Sequence, residues 1–205
     1  MCLWLPVTMK DYIDQYGDQI EFIGEVYDSA RVGLVVPQYV TIDSIGELAA
    51  YKGQFSSEIV GIDAGAGIMK TTDKAIGDYG LDGYKLLTSS SSTMLASLQK
   101  AMEKEAWIVI TGWTPHWMFD RYPLKFLHDP KGTYRKMESN YVVGWKGFTE
   151  KDPFAAKFFS NIKFTTEEIS SLMKALKDAR MDEEDLVRKW RDEHRELVES
   201  WIPES

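Results

Sequence analysis

The chain has 205 residues, 44% of them hydrophobic and 27% charged, with a net charge of −8. That balance is ordinary for a globular protein and leaves room for one large domain or two small lobes. The acidic excess argues against a nucleic-acid partner, which needs a basic face, and no apolar run approaches the roughly 18 residues of a membrane-spanning helix.

The only cysteine, Cys2, allows no intrachain disulfide. It reads either as a lipid-anchor site or as an apolar strand residue beside Leu3, and the missing apolar h-region before it favours the strand. Residues 33–37 (GLVVP) read as a strand, and 41–51 (TIDSIGELAAY) as a helix capped by Thr41 or Asp43. Residues 59–63 form a buried strand, and 67–79 a helix that stops before Gly80. Residues 84–88 are a further strand. Four serines then lead into a helix over 93–104, with Leu95, Leu98 and Met102 at apolar spacing. Residues 106–111 are the next strand. This βαβαβ rhythm predicts a largely parallel sheet with right-handed crossovers. One strand follows at 141–145. Helices are then expected over 152–161, 166–178 and 182–201, with acids at Glu167, Glu168 and in the Met181–Asp185 run, where the helix dipole favours them. No internal repeat is visible.

The most informative segment is Gly112-Trp113-Thr114-Pro115-His116-Trp117. It follows the apolar run 108–111, so two indoles and an imidazole are expected at a strand's carboxyl end, in a turn marked by Gly and Pro. Ligands of open α/β sheets bind at such strand ends. Trp4 has a similar frame in Leu3-Trp4-Leu5-Pro6. Indole faces attract cations, and aromatic cages recognise quaternary ammonium groups. Trp113 is the candidate cage ring, whereas Trp117 is expected to pack under the loop. Trp107, Trp145, Trp190 and Trp201 lie within periodic elements and read as packing residues.

A second candidate is the strand-to-helix segment 61–69 (GIDAGAGIM). Its glycines permit close backbone approach, and the amides of Gly67 and Ile68 at the helix start favour an anion such as a carboxylate. The segment completes neither a dinucleotide fingerprint nor a P-loop. Alone it could equally be a packing device. With an aromatic cage it makes a zwitterion site, rings for the cation and amides for the carboxylate. His116 and His128 have no Cys or carboxylate at metal-ligand spacing, so neither a metal nor a cofactor is implied. His194 reads as solvated on the charged last helix. An enzyme using Asp63 and His116 lacks a nucleophile elbow, and Asp63 is better placed to cap the turn or the helix start.

These motifs resemble the OpuAC-like family of glycine-betaine-binding proteins of osmoprotectant ABC importers. The landmarks are Trp4-Leu5-Pro6, the run 33–39, Gly61-Ile62-Asp63-x-Gly65-x-Gly67-Ile68-Met69 with the following Asp73-Lys74-Ala75, the run 111–119, and Leu127-x-Asp129-Pro130-Lys131. The resemblance implies an α/β, type II periplasmic-binding-protein fold of two lobes with mostly parallel sheets and the ligand in the interlobe cleft. It implies a non-enzymatic role, with Trp4 and Trp113 as cage walls and the Gly67 and Ile68 amides on the ligand carboxylate; Trp117 and His116 are further candidates. The implied partners are a betaine, carnitine, choline or dimethylsulfoniopropionate-type ligand and a membrane ABC permease, in the periplasm or at the outer face of the cell membrane.

Two departures from the family pattern are expected to matter. Where the family has a carboxylate-bonding His after the Trp-Leu-Pro motif, this chain has Met9, which donates no hydrogen bond, so carboxylate affinity or ligand choice is expected to differ, toward a larger betaine, a sulfonium compound or a cation with no carboxylate. The family stretch that precedes this motif, with the first βαβ of one lobe and a third cage Trp, has no counterpart here, so the first lobe is expected to be incomplete. Residues 1–55 then read as the remainder of that lobe with the hinge, 56–150 as the ligand-binding second lobe, and 151–205 as helices packing back on both. Exposed apolar sheet favours association, so a homodimer or domain-swapped dimer is expected. The competing reading is a truncated, non-transporting relative acting as an oligomerising or sensory module.

Overall fold

A computed structural model describes residues 1–6, 9–134, 138–178 and 182–204. Val7, Thr8 and Met181, which belong to segments singled out above, lie outside the described residues. In chain order the elements are β1 (Cys2–Leu5), α1 (Lys10–Tyr16), β2 (Ile20–Pro37), β3 (Glu58–Val60), α2 (Gly67–Asp78), β4 (Lys85–Leu87), α3 (Ser91–Glu103), β5 (Ile110–Thr114), α4 (Met118–Arg121), β6 (Leu124–Phe126), β7 (Glu138–Trp145), α5 (Phe148–Lys151), α6 (Pro153–Asn161), α7 (Thr166–Asp178), α8 (Glu183–Glu193) and α9 (Arg195–Ser200). The chain divides into two compact units. The first comprises Met1–Ala30, Pro115–Trp117 and Met137–Ser205, the second Arg31–Thr114 and Met118–Lys136.

In the first unit, β7 pairs antiparallel with β1 on one side and with the first part of β2 on the other. The β2 ladder shifts register near Gly24, where a Cβ would lie 2.7 Å from the Ser160 Cα of α6. Only glycine lets that helix lie so close to the strand. Asp152 caps α6, its carboxylate accepting the Ala155 N–H at 2.9 Å, and Pro153 occupies the first turn. The rings of Trp190 and Trp201 are buried against Phe164.

In the second unit, β3 pairs parallel with β4 and β5, as the βαβ rhythm dictates. The rest of β2 pairs antiparallel with β5, Leu34 opposite Thr111, and with β6. Among the named strands β3 pairs parallel with β4 and β5, an isolated parallel bridge joins Ser44 to His128, and β2 runs antiparallel to both of its partners in this unit. Leu34, Ile59, Met94, Leu98 and Ile110 form the fully buried core. Ser90 caps α3, accepting the Thr93 N–H at 3.1 Å.

Several local expectations change. The helix expected from Thr41 is a 3-10 helix over Ile45–Tyr51, capped by Ser44 in a capping box with Glu47. The Glu47 carboxylate takes the amides of Asp43 and Ser44 at 3.0 and 2.9 Å, which holds those residues outside the helix. The last helix is broken at His194, between α8 and α9. His194 is half-buried and not free in solvent: its ring stacks on Trp190 at 4.2 Å, and its Nδ1 lies 2.9 Å from the Trp190 carbonyl. Trp145, by contrast, is 55% exposed. Among the described residues no helix is long and apolar enough to cross a membrane, and no group of His, Cys, Asp and Glu could hold a metal ion.

Candidate functional site

Strand β3 leads into α2 through the glycine-rich turn, and the sequence locks this junction. A Cβ on Gly61 would lie 2.3 Å from the Met69 Sδ, so only glycine lets that thioether fold back over the strand end. The Ile62 N–H donates to the same sulfur at 3.2 Å. The Asp63 carbonyl accepts the Ala66 N–H at 3.0 Å, so Asp63 closes the turn through its backbone. Ala66 stands at the N-cap and supplies no side-chain acceptor. Gly67 is half-buried and Ile68 buried. A helix start without a capping side chain, at the positive end of the peptide dipoles, leaves amide donors that attract negative charge.

Helix α2 packs against β4 and β5 within the second unit, and β5 carries Trp113. The sequence placed Trp113 at a strand's carboxyl end, in the turn; it lies at that end but still within β5, half-buried and opposite Val32. The glycine before it serves close approach and not a turn, since a Cβ on Gly112 would lie 2.5 Å from the Val35 Cγ2.

The first unit holds the other candidates. Trp4 is half-buried in β1 opposite Asn140, and the Leu5–Pro6 peptide bond is cis. The Met9 N–H donates to the Trp4 carbonyl at 2.9 Å, while the Met9 carbonyl accepts the amides of Tyr12 and Ile13 at the start of α1. Trp4 and Met9 are therefore tied through the backbone. His116 and Trp117 have ring centroids 5.4 Å apart. Trp117 also lies under a cation, with the Lys177 Nζ of α7 5.0 Å from its centroid. His116 is 9% exposed, and burial pushes its pKa down to about 4, so the imidazole is neutral near pH 7.

Two hollows elsewhere are of a different kind. One, of about 890 Å³ in the first unit, is lined by apolar side chains including Leu3, Tyr12, Tyr16, Val143, Trp145 and Phe148. The other, of about 440 Å³ in the second, is lined by Phe55, Glu58, Thr93, Ser97 and Trp107 among others. None of the seven candidate residues lines either.

Sequence reasoning missed Lys177 and the side chains that brace α2, namely Thr71, Thr72 and Tyr134. Lys177 left no local signal. For the brace, the quoted run at Asp129-Pro130-Lys131 marked the loop but not what it holds.

Residues 1–193 match the family OpuAC, the substrate binding domain of ABC-type glycine betaine transport systems. The glycine betaine/carnitine transport binding protein GbuC of Listeria monocytogenes is 39% identical over 178 residues, which are 86% of this chain and 57% of that protein. The chain thus spans little more than half the length of this curated relative. In fold it is similar to the glycine/betaine/L-proline-binding protein ProX from Borrelia burgdorferi, with a TM-score of 0.90 and 34% identity over 98% of this chain and 76% of that one. It is equally similar to lactococcal OpuAC in its closed-liganded conformation complexed with glycine betaine, with a TM-score of 0.90 and 36% identity over 98% and 78% of the two chains. These relatives are substrate-binding proteins and not enzymes, and their fold is the α/β periplasmic-binding type. The chain belongs to the OpuAC family of substrate-binding domains of glycine betaine ABC transporters.

Proposed function

We propose that this chain binds glycine betaine or a related quaternary ammonium or sulfonium osmoprotectant and presents it to an ABC permease at the periplasmic or outer face of the membrane. The observation that carries the reading is the uncapped start of α2, packed in one unit against the strand that bears Trp113. The amides of Gly67 and Ile68 hold the ligand carboxylate. Trp113 and Trp4 offer ring faces to the methylated cation, with Trp117 and His116 as further wall residues. Such a cation donates no strong hydrogen bond, so indole faces replace water at low desolvation cost. A neutral His116 adds no competing positive charge. Met9 contributes apolar thioether surface and no hydrogen bond, which leaves the carboxylate more dependent on the α2 amides. Glycine betaine and carnitine, after which these relatives are named, each join a trimethylammonium group to a carboxylate and fit this chemistry.

The test is a titration of intrinsic tryptophan fluorescence with glycine betaine, carnitine, choline and dimethylsulfoniopropionate. A saturable change is expected with at least one of them. Trp113→Ala is expected to weaken it roughly 30-fold, the equivalent of about 2 kcal/mol for one desolvated ring. A folded wild-type chain that responds to none of the four refutes the reading. The apolar hollow of the first unit then favours the second reading, an oligomerising or sensory module.

A further inference from the structure

The hollow of about 440 Å³ in the second unit has no part in the proposed onium binding. Residues of β3, β4 and α3 and of the segment before β5 line it, and its volume falls within the range of small-molecule sites. One wall is the half-buried Trp107, whose ring packs on Phe55 and Tyr51 with centroids 5.2 and 5.5 Å away. Phe55 is 2% exposed, so this wall is anchored in the core. Val60, Leu87 and Ile108 form an apolar floor. Each is only half-buried, whereas Ile59 and Val109 beside them are fully buried.

The polar side of the hollow is built from acceptors. Glu58, half-buried at the start of β3, brings a carboxylate. The Ser97 hydroxyl donates to the Thr93 carbonyl at 3.0 Å, and the Ser89 hydroxyl donates to the Gly61 carbonyl at 2.6 Å. A hydroxyl has one proton and two lone pairs, so these two committed oxygens have only lone pairs left for a ligand. Among the described residues no Lys, Arg or His lines the hollow. The turn that delivers Glu58 is fixed by its backbone. The Ser57 N–H donates to the Lys52 carbonyl at 2.9 Å, the Glu58 N–H to the Phe55 carbonyl at 3.0 Å, and the Ser57 carbonyl accepts the Lys85 N–H at 2.8 Å. Ser56 and Ser57 have φ of +53° and +59°, in the left-handed region that side chains disfavour. Such strain persists where the surroundings impose it, and ligand sites are a common place for it.

We infer that this hollow is a second ligand site, for a small organic amine in its protonated form: an ammonium group that donates hydrogen bonds, carried on a short apolar body. The ammonium donates to Glu58 and the serine oxygens and faces the Trp107 ring, while the body covers Val60, Leu87 and Ile108. The selectivity differs from that of the candidate onium site. A fully methylated onium donates no strong hydrogen bond and would leave the acceptors of this hollow without donors. An anion would meet a carboxylate and no cation, and a neutral molecule would leave Glu58 without a counter-charge. The hollow shares no lining residue with the candidate onium site, so this site stands whether or not the onium reading holds.

The experiment records the backbone amide and indole N–H resonances of the full chain while phenethylamine, protonated near neutral pH, is added. Phenethyl alcohol, its neutral isostere, is the control. The amine is expected to bind in the millimolar range and to shift saturably the Trp107 indole, identified by its loss in Trp107→Phe, and the amides of residues 56–58 and 97. The alcohol is expected to bind roughly tenfold more weakly, the size of one charge-assisted hydrogen bond. Glu58→Gln is expected to weaken the amine by about the same factor and to leave the alcohol unchanged. Saturating glycine betaine is expected to leave amine binding unaltered. No saturable shift at these residues overturns the inference, as do equal affinities for amine and alcohol. An amine affinity that is unchanged in Glu58→Gln overturns it too. Displacement of the amine by glycine betaine puts the amine in the onium site and overturns the second site alone. Should Glu58→Gln disturb resonances far from the hollow, the ratio of amine to alcohol affinity in the wild-type chain decides in its place.

Discussion

His116 provides a prediction whose size follows from its burial. Its pKa is pushed from 6.5 to about 4 because the 9%-exposed ring loses hydration when charged. The unfolded chain therefore binds a proton that the folded chain refuses across this window, and stability rises with pH there. The contribution is fully present above the unfolded value of 6.5. It is lost as pH falls towards about 4, and changes no further below that. The whole span is worth about 3 kcal/mol, and the part lost between pH 7.5 and pH 5 is about 2 kcal/mol. Acidification changes more than one interaction, so the comparison is with His116→Gln, which cannot take up the proton. Urea unfolding followed by tryptophan fluorescence at both pH values gives the four free energies needed. The wild-type protein is expected to lose about 2 kcal/mol more than the variant on acidification. Equal losses would falsify the claim that His116 is held neutral.

Two further outcomes test the packing. Gly61→Ala sets a methyl 2.3 Å from the Met69 Sδ and is expected to lower the unfolding free energy by about 1–3 kcal/mol, read as a drop in the urea midpoint at unchanged slope; an unshifted midpoint refutes the tight strand–helix junction. The apolar hollow of the first unit, with Tyr12 at 53% and Trp145 at 55% exposure on its lining, is expected to associate two copies of the chain, so light scattering should show a mass that rises above the monomer with concentration and falls back in Trp145→Glu. A monomer mass at every concentration refutes it.

What the sequence shows depends on how local the cause is. The junction from β3 to α2 is readable because its rules are short-range: a buried strand, glycines where Met69 folds back, and a helix that stops before Gly80, whose φ is +61°. The first half of β2 is not readable. Its ladder with β7 shifts register between Phe22 and Gly24 and again around Tyr27, so apolar residues fall out of strict alternation, and the partner strand is over 100 residues away. Helix α1 has seven residues and none of them buried, so its short pattern marks no core-facing side. The glycine at 112 misled for a related reason. In sequence it announces a turn, whereas in the fold it makes room for Val35 from a neighbouring strand.

The same distinction explains the candidate site. Trp4, Trp113 and the start of α2 are visible as residue types in recognisable frames, so candidate ring faces and amides can be named before any fold is known. The tertiary contacts that hold α2 cannot. Two adjacent threonines inside a helix look from sequence like a modest propensity cost. They acquire a role only when a tyrosine 62 residues further on reaches the second of them, and that tyrosine is in place because Asp129 takes both its amide and the Tyr79 hydroxyl. Each link is an ordinary hydrogen bond of about 1 kcal/mol. Together they tie the second turn of α2 to the loop at residues 129–134. The candidate residues are therefore legible as a list, whereas the brace on the helix that carries two of them is assembled only by tertiary contacts.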